Sequence, residues 1–146
     1  MAAWTMALKA LVKWGPVVFA AGRKALPYLK DNPAGQKFVQ SLVEQTSSIP
    51  DRMSGEARAR RKIGAVQRSL AEAATLGIDP EQYARWRADL DELSRTVVLA
   101  QAANRKQRRS LLRRCERRLD QLVAEILPAL TPRHPEPPRA LPPYSR

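Results

Sequence analysis

The chain has 146 residues, a length that allows one small domain with flexible arms and excludes two independent enzyme lobes. It carries 26 Lys and Arg residues against 14 Asp and Glu, which gives a formal net charge of +12. Such a charge favours polyanions, either nucleic acid or acidic lipid headgroups. Because GC-rich coding alone also produces chains rich in Arg and Ala, the distribution of the charge is more informative than its total.

The first thirty residues contain five Lys or Arg residues and no acid, and they read as two short helices separated at Gly15–Pro16. The first helix has an apolar face opposite its lysines, formed by Trp4, Leu8, Leu11 and Trp14. This pattern is typical of a helix in a membrane interface, where Trp is favourable and Lys pairs with anionic lipid. The alternative, which we favour, is that the same face docks onto the rest of the fold.

One further short helix is expected before residue 50. The second N-terminal helix should end near Leu26, because Pro27 ends or kinks a helix. Asn32–Pro33 then provides a capping residue followed by a proline, which is a typical helix start. The apolar face of the helix that starts there ends before Pro50. We therefore expect residues 1–50 to form a region of amphipathic helices.

A longer pair of helices is predicted for residues 51–130. Apolar residues spaced alternately three and four apart run from Ser54 to Leu76, and Gly77 follows as a natural stop. Asp79 and Pro80 begin the next helix as capping residue and first helical residue. Neither Gly nor Pro occurs from residue 81 to 127, so we expect one continuous helix of about 48 residues, roughly 70 Å long.

The short turn between these two helices predicts a long antiparallel hairpin that resembles a coiled coil. Pairing across the turn would bring Arg61, Lys62 and Arg68 close to the acidic stretch from Asp89 to Glu92. Much of this basic run would then be neutralised inside the protein.

The longer helix extends past its partner and carries a second apolar stripe, formed by Leu111, Leu112, Cys115, Leu119, Leu122 and Ile126. This stripe needs a partner of its own. The candidates are the helix after Asn32–Pro33, the N-terminal helices, or another protein or a second copy of the chain. A homodimer or a protein partner would use Leu111, Leu119, Leu122 and Ile126.

The densest cluster of charge runs from Asn104 to Arg118, with eight cations and one acid. Five of the cations fall within roughly a 140° arc opposite the leucine stripe; they are Lys106, Arg109, Arg113, Arg114 and Arg117. Arg offers paired donors to phosphate oxygens, and a rigid helix presents them in a row. No aromatic lies among them to stack on bases, so backbone contact is expected. The alternative is a solvated face, or one that pairs with acids of a partner protein.

The sequence lacks the parts that catalysis requires. His134 is the only histidine, no Cys or His pair has zinc spacing, and the glycines form no phosphate-binding loop. The single cysteine, Cys115, is interpreted as a small apolar residue on a helix face, which fits a reducing cytosol. We therefore expect no enzyme, no metal and no cofactor.

Two features bear on location and on the C-terminus. No uncharged run exceeds nine residues, far short of the roughly twenty needed to cross a bilayer. We expect a cytoplasmic protein, with peripheral membrane attachment as an alternative. Seven of the twelve prolines lie from Pro128 to Pro143, so residues 131–146 are expected to be a disordered tail. A ligand for a proline-recognising groove is the alternative for this tail.

Together these patterns predict an all-α, non-catalytic accessory or adaptor protein. Its basic helix should bind a polyanion, with the backbone of nucleic acid as the leading candidate. A peripheral membrane protein anchored through the N-terminal tryptophans is the second hypothesis, and a scaffold for other proteins is the third.

Overall fold

The computed structural model describes residues 14–29, 32–50 and 52–130. These residues form helices and no strand, and 85% of them are helical, so the all-α prediction is confirmed. The helices are α1 (Pro16–Leu29), α2 (Pro33–Ser47), α3 (Gly55–Ala74), α4 (Pro80–Ala102) and α5 (Arg105–Ala129). The predicted first helix, with Trp4, Leu8 and Leu11, and the proline-rich tail lie outside the described residues.

Most helices begin at the residues that the sequence marks as starts. The side chain of Asn32 accepts a hydrogen bond from the backbone N–H of Ala34 at 3.1 Å, directly before α2. Ser54 does the same for α3, with the N–H of Ala57 at 3.2 Å. These bonds satisfy N–H groups that have no partner within the helix. Gly77 has φ of +109°, a conformation that side chains rarely adopt, and it ends the turn after α3.

Helix α1 is longer than expected, because it continues through Pro27 to Leu29. Proline has a φ that suits a helix, and its cost lies mainly in one lost hydrogen bond and in crowding against the preceding turn. Only two residues follow Pro27, so the helix ends soon after the proline although not before it.

The prediction of one continuous helix from residue 81 to 127 is wrong. Helix α4 ends at Ala102, and α5 begins at Arg105. Between them, Asn104 takes an extended conformation, and its side chain accepts a hydrogen bond from the N–H of Gln107 at 2.9 Å. An Asn side chain competes with the backbone for hydrogen bonds, and this favours a helix start over a helix interior. The chain therefore turns a corner without either Gly or Pro.

Arg108 ties this corner together. Its Nε donates to the carbonyl oxygen of Ala100 at 3.1 Å, and its Nη2 donates to the carbonyls of Gln101 and Ala103 at 3.2 and 3.5 Å. The last carbonyls of a helix have no partner within it and carry a partial negative charge. One guanidinium from α5 thus satisfies the end of α4.

Helices α3 and α4 pack against each other in opposite directions. Gln101, in the last turn of α4, donates a hydrogen bond to Glu56, in the first turn of α3. The predicted neutralisation of Arg61, Lys62 and Arg68 by the acidic stretch from Asp89 to Glu92 does not occur as expected. Asp89 instead pairs with Arg118 of α5 at 3.3 Å, and the Nζ of Lys62 lies 5.0 Å from the centre of the Trp14 ring.

The apolar stripe of α5 is covered by the chain itself. Helices α1, α3 and α4 all contact α5, whereas α2 packs mainly on α3. The prediction that α2, the helix after Asn32–Pro33, covers this stripe is therefore wrong. The side chains of Leu119, Leu122 and Ile126 are 0% exposed, and Leu111 is half-buried. Three of the four residues expected at a homodimer interface are therefore enclosed in the core.

Trp14 also belongs to this core, with 1% of its surface exposed. Of the predicted membrane-facing residues, it is the one that the structure describes, and it docks onto the fold. None of the helices in residues 14–130 that are described is long and apolar enough to cross a bilayer.

Replacing Arg108 by Ala should lower the free energy of unfolding by about 1–2 kcal/mol, because the carbonyls at the end of α4 lose a charged donor. Replacing Arg87, an exposed residue of α4, by Ala is the control and should change it by less than about 0.5 kcal/mol. Urea unfolding followed by circular dichroism measures both. Equal midpoints for the two variants would show that the corner does not depend on Arg108.

Candidate functional site

The first turns of α5 project from the body of the protein. Six consecutive residues, 105–110, are all exposed, and at 100° per residue they point in every direction around the helix axis. Burial begins only further along, with Leu111 and Leu112 half-buried and Cys115 fully buried. The start of the helix is thus exposed and held to α4 through Arg108, and the helix enters the core from Leu111 onward.

Exposed cations cover the outer side of this projecting helix. They surround a shallow depression of about 590 Å³ whose lining comes entirely from α5 and consists of Arg105, Lys106, Arg109, Ser110, Arg113, Arg114 and Arg117. We call its six cations the basic face. All five residues predicted from the sequence lie together in it. Residues 105 and 117 are twelve positions apart, about 18 Å along the axis at the rise of a helix.

Arg105 was missed by sequence reasoning. On a helical wheel it falls at the edge of the apolar side, and it is available only because the first turn extends past the core. Asn104 was the signal that could have found it, since a capping residue at this position makes Arg105 the first residue of a new helix.

The remaining two arginines of the cluster have structural contacts. Arg108 binds the end of α4, and Arg118 bridges Asp89 at 3.3 Å and Glu125 at 3.5 Å. In contrast, the described part of the chain offers no acidic partner to any residue of the basic face. No acid lies in the first turn of α5, where the helix dipole is positive. Cations and dipole therefore add to one positive field.

An unusual carboxylate lies just beyond the basic face. The pKa of Asp120 is raised to about 6, chiefly by burial; Lys62 opposes this rise, and Glu116 adds a smaller contribution to it. Its Oδ1 atom is buried and accepts no hydrogen bond from the residues described. On the other side is Gly15, with φ of +100°, where a Cβ would lie only 3.4 Å from Oδ2 of Asp120. The carboxylate is enclosed by α5 and by the start of α1, and its ionised form is disfavoured.

Cys115 has no features of a reactive thiol. Its Sγ donates to the carbonyl of Leu93 at 3.7 Å, and burial raises the pKa of the thiol to about 11, with a smaller contribution from Glu116. The thiolate is the nucleophile and the metal ligand, so this group is inert at neutral pH. Within residues 14–29, 32–50 and 52–130, no cluster of three or more His, Cys, Asp or Glu could hold a metal ion.

No protein-family model, characterised protein or solved structure matches this chain. Its function is therefore inferred from the geometry of the basic face.

Replacing Asp120 by Asn should stabilise the protein at pH 7.5 by about 1 kcal/mol after discounting for partial exposure. Because the folded protein raises the pKa of Asp120 above its unfolded value, protonation favours the folded state, and this contribution is lost as the pH rises from about 4 to 6. The advantage of the Asn variant should therefore shrink as the pH falls from 7.5 to 4.5.

Urea unfolding at several pH values measures this difference. Asp91→Asn, at an exposed position of α4, controls for the loss of one negative charge from a basic protein. A constant difference between Asp120→Asn and the native protein over this pH range would contradict the raised pKa.

The Cys115 thiol should react at least a hundredfold more slowly with a disulfide reagent in the native protein at pH 8 than in concentrated urea. A pKa of about 11 leaves roughly one thiol in a thousand ionised at this pH, and the folded chain blocks access. The absorbance of the released thiolate follows the reaction. Similar rates in the two states would show that Cys115 is accessible in the folded protein.

Proposed function

We propose that this protein is a non-catalytic accessory protein that binds the phosphate backbone of nucleic acid through the basic face of α5. The observation that carries the proposal is the combination of six exposed cations, no acidic partner for them among the described residues, and one rigid helix that presents them all. In the run of cations in α3, by contrast, Arg60 pairs with Glu56 at 3.0 Å.

Phosphate is the group that this surface suits best. Five of the six cations are Arg, whose planar guanidinium donates two parallel hydrogen bonds to phosphate oxygens. The back of α5 is fixed by buried residues such as Leu119 and Leu122. The cations are therefore held along a preset line, which lowers the entropy lost when they bind a row of phosphates.

The two other hypotheses have less support. Membrane attachment was predicted from four residues, and Trp14, the one described, is buried under Lys62. A protein scaffold was predicted through four apolar residues of α5, and three of them, Leu119, Leu122 and Ile126, are enclosed in the core. The basic face, in contrast, is open to solvent.

The proposal predicts a steep salt dependence for binding to a labelled DNA duplex. If about four cations contact phosphates, the log–log salt slope should be near −3.6, a loss of roughly a hundredfold in affinity between 50 and 200 mM salt. Reversing Lys106, Arg113 and Arg117 to Glu should abolish binding at 100 mM salt, since three attractive contacts become repulsive. Fluorescence anisotropy measures the affinity.

The matched control reverses Arg23, Arg61 and Arg87, which are exposed cations on α1, α3 and α4. It changes the net charge equally and should keep most of the affinity. Circular dichroism establishes that both variants are folded. Undiminished binding by the α5 variant, or equal losses in the two variants, would place binding outside the basic face and refute the proposal.

A further inference from the structure

The shape of the site indicates which form of nucleic acid it fits. We propose that the projecting start of α5 enters the major groove of double-stranded DNA, with its cations contacting the phosphates on both sides of the groove. This inference rests on the proposed function and adds the substrate class and the mode of binding. It depends on three features of the described residues: the exposure of residues 105–110, the spread of cations around the axis, and the chemistry of the lining.

A helix can enter a groove with its outer face while its other face packs on the protein, provided that the outer face is exposed. Residues 105–110 are exposed on every side of the axis, although the side chain of Arg108 folds back onto the end of α4. An α-helix with its side chains is about 10–12 Å wide, and the major groove of B-form DNA is about 12 Å wide. The dimensions therefore match without deformation of the DNA.

The cations are spread too widely for a flat surface. At 100° per residue, the directions from Arg105 through Arg113 to Arg114 cover about 180° around α5. A planar bilayer would contact only part of this arc and leave cations on both edges unused. A groove has a wall of phosphates on either side, so it can be contacted by Arg105 and Arg109 on one flank and by Arg114 on the other.

The lining of the depression argues against single strands. It contains five arginines, one lysine and one serine, and no aromatic residue. Proteins that hold single strands combine cations with aromatic side chains that stack on the unpaired bases. The centre of the arc holds Lys106, Arg113 and Arg117, whose polar groups can approach the base edges of a paired duplex.

Duplex RNA is also a poor fit. The major groove of A-form RNA is deep and narrow, so side chains on a helix of this width cannot enter it. The same surface should therefore distinguish between the two kinds of duplex, although both carry the same charge per strand.

The test compares four probes at equal phosphate concentration with the full chain: a 16-base-pair DNA duplex, one of its single strands, an RNA duplex of the same sequence, and vesicles of phosphatidylcholine and phosphatidylserine. We expect the DNA duplex to compete at least about tenfold better than each of the others. Methyl green, which occupies the major groove, should displace the protein from DNA, and distamycin, which occupies the minor groove, should not.

Variants on the two flanks test the contact with both walls. Replacing Arg105 and Arg109 by Ala on one flank, or Arg114 by Ala on the other, should each weaken duplex binding about threefold or more and lower the salt slope by about one for each Arg removed. The control, with Arg61 and Arg87 replaced by Ala, should change the affinity less than about twofold.

The outcomes separate this inference from the proposed function. If single strands or duplex RNA compete as well as duplex DNA, or if distamycin displaces the protein, the groove assignment is wrong while backbone binding stands. Loss of affinity in only one flank variant also overturns it. If vesicles compete best, or no nucleic acid binds, the proposed function itself fails.

Discussion

The structure depends on the corner at Asn104. If α4 and α5 were one straight helix, the apolar stripe from Cys115 to Ile126 would extend into solvent and would need another molecule to cover it. The break lets α5 fold back along α4, where the thiol of Cys115 contacts the carbonyl of Leu93 and Arg118 contacts Asp89. Asn104 starts the new helix and Arg108 satisfies the end of the old one. A single corner thus converts an extended hairpin into a closed bundle.

The same corner produces the exposed end of α5. Residues 105–110 follow this turn directly and are exposed, whereas burial begins at Leu111 and Leu112. Cations at the positive end of a helix dipole repel each other and the dipole, and here no acid in the first turn relieves this. Exposure to water and salt keeps the free energy of this repulsion small. A bound row of phosphates would remove it.

Local signals in the sequence were sufficient for much of this architecture. The capping side chains of Asn32 and Ser54, and the positive φ of Gly77, follow from local chemistry that does not depend on the rest of the fold. The grouping of Lys106 with Arg117 was also predictable, because the phase of a helix is set within each helix. The break at Asn104 does not change this grouping, since all five predicted cations follow Asn104 and lie in α5.

What the sequence could not provide was the choice of tertiary partners. The stripe of α5 fits several apolar surfaces, and only the packed structure shows that α1 covers it and that α2 packs mainly on α3. Arg118 could have paired with many acids, and it was the position of α4 that selected Asp89. The break at Asn104 was missed for a related reason, since Asn is tolerated inside helices and only the competing contacts of the folded chain decide the matter.

The packing of α1 against α5 joins parts of the chain that are made far apart in time. Trp14 and Gly15 leave the ribosome roughly a hundred residues before Asp120, an interval of about 5–20 s at ordinary rates of synthesis. During this interval Val18 of α1 and Trp14 just before it, both buried in the finished protein, lack the cover that α5 provides. The nascent chain therefore exposes an apolar, cationic segment until α5 emerges. Chaperones that bind such segments can act on the chain during this interval, and the core closes only after α5 has been made.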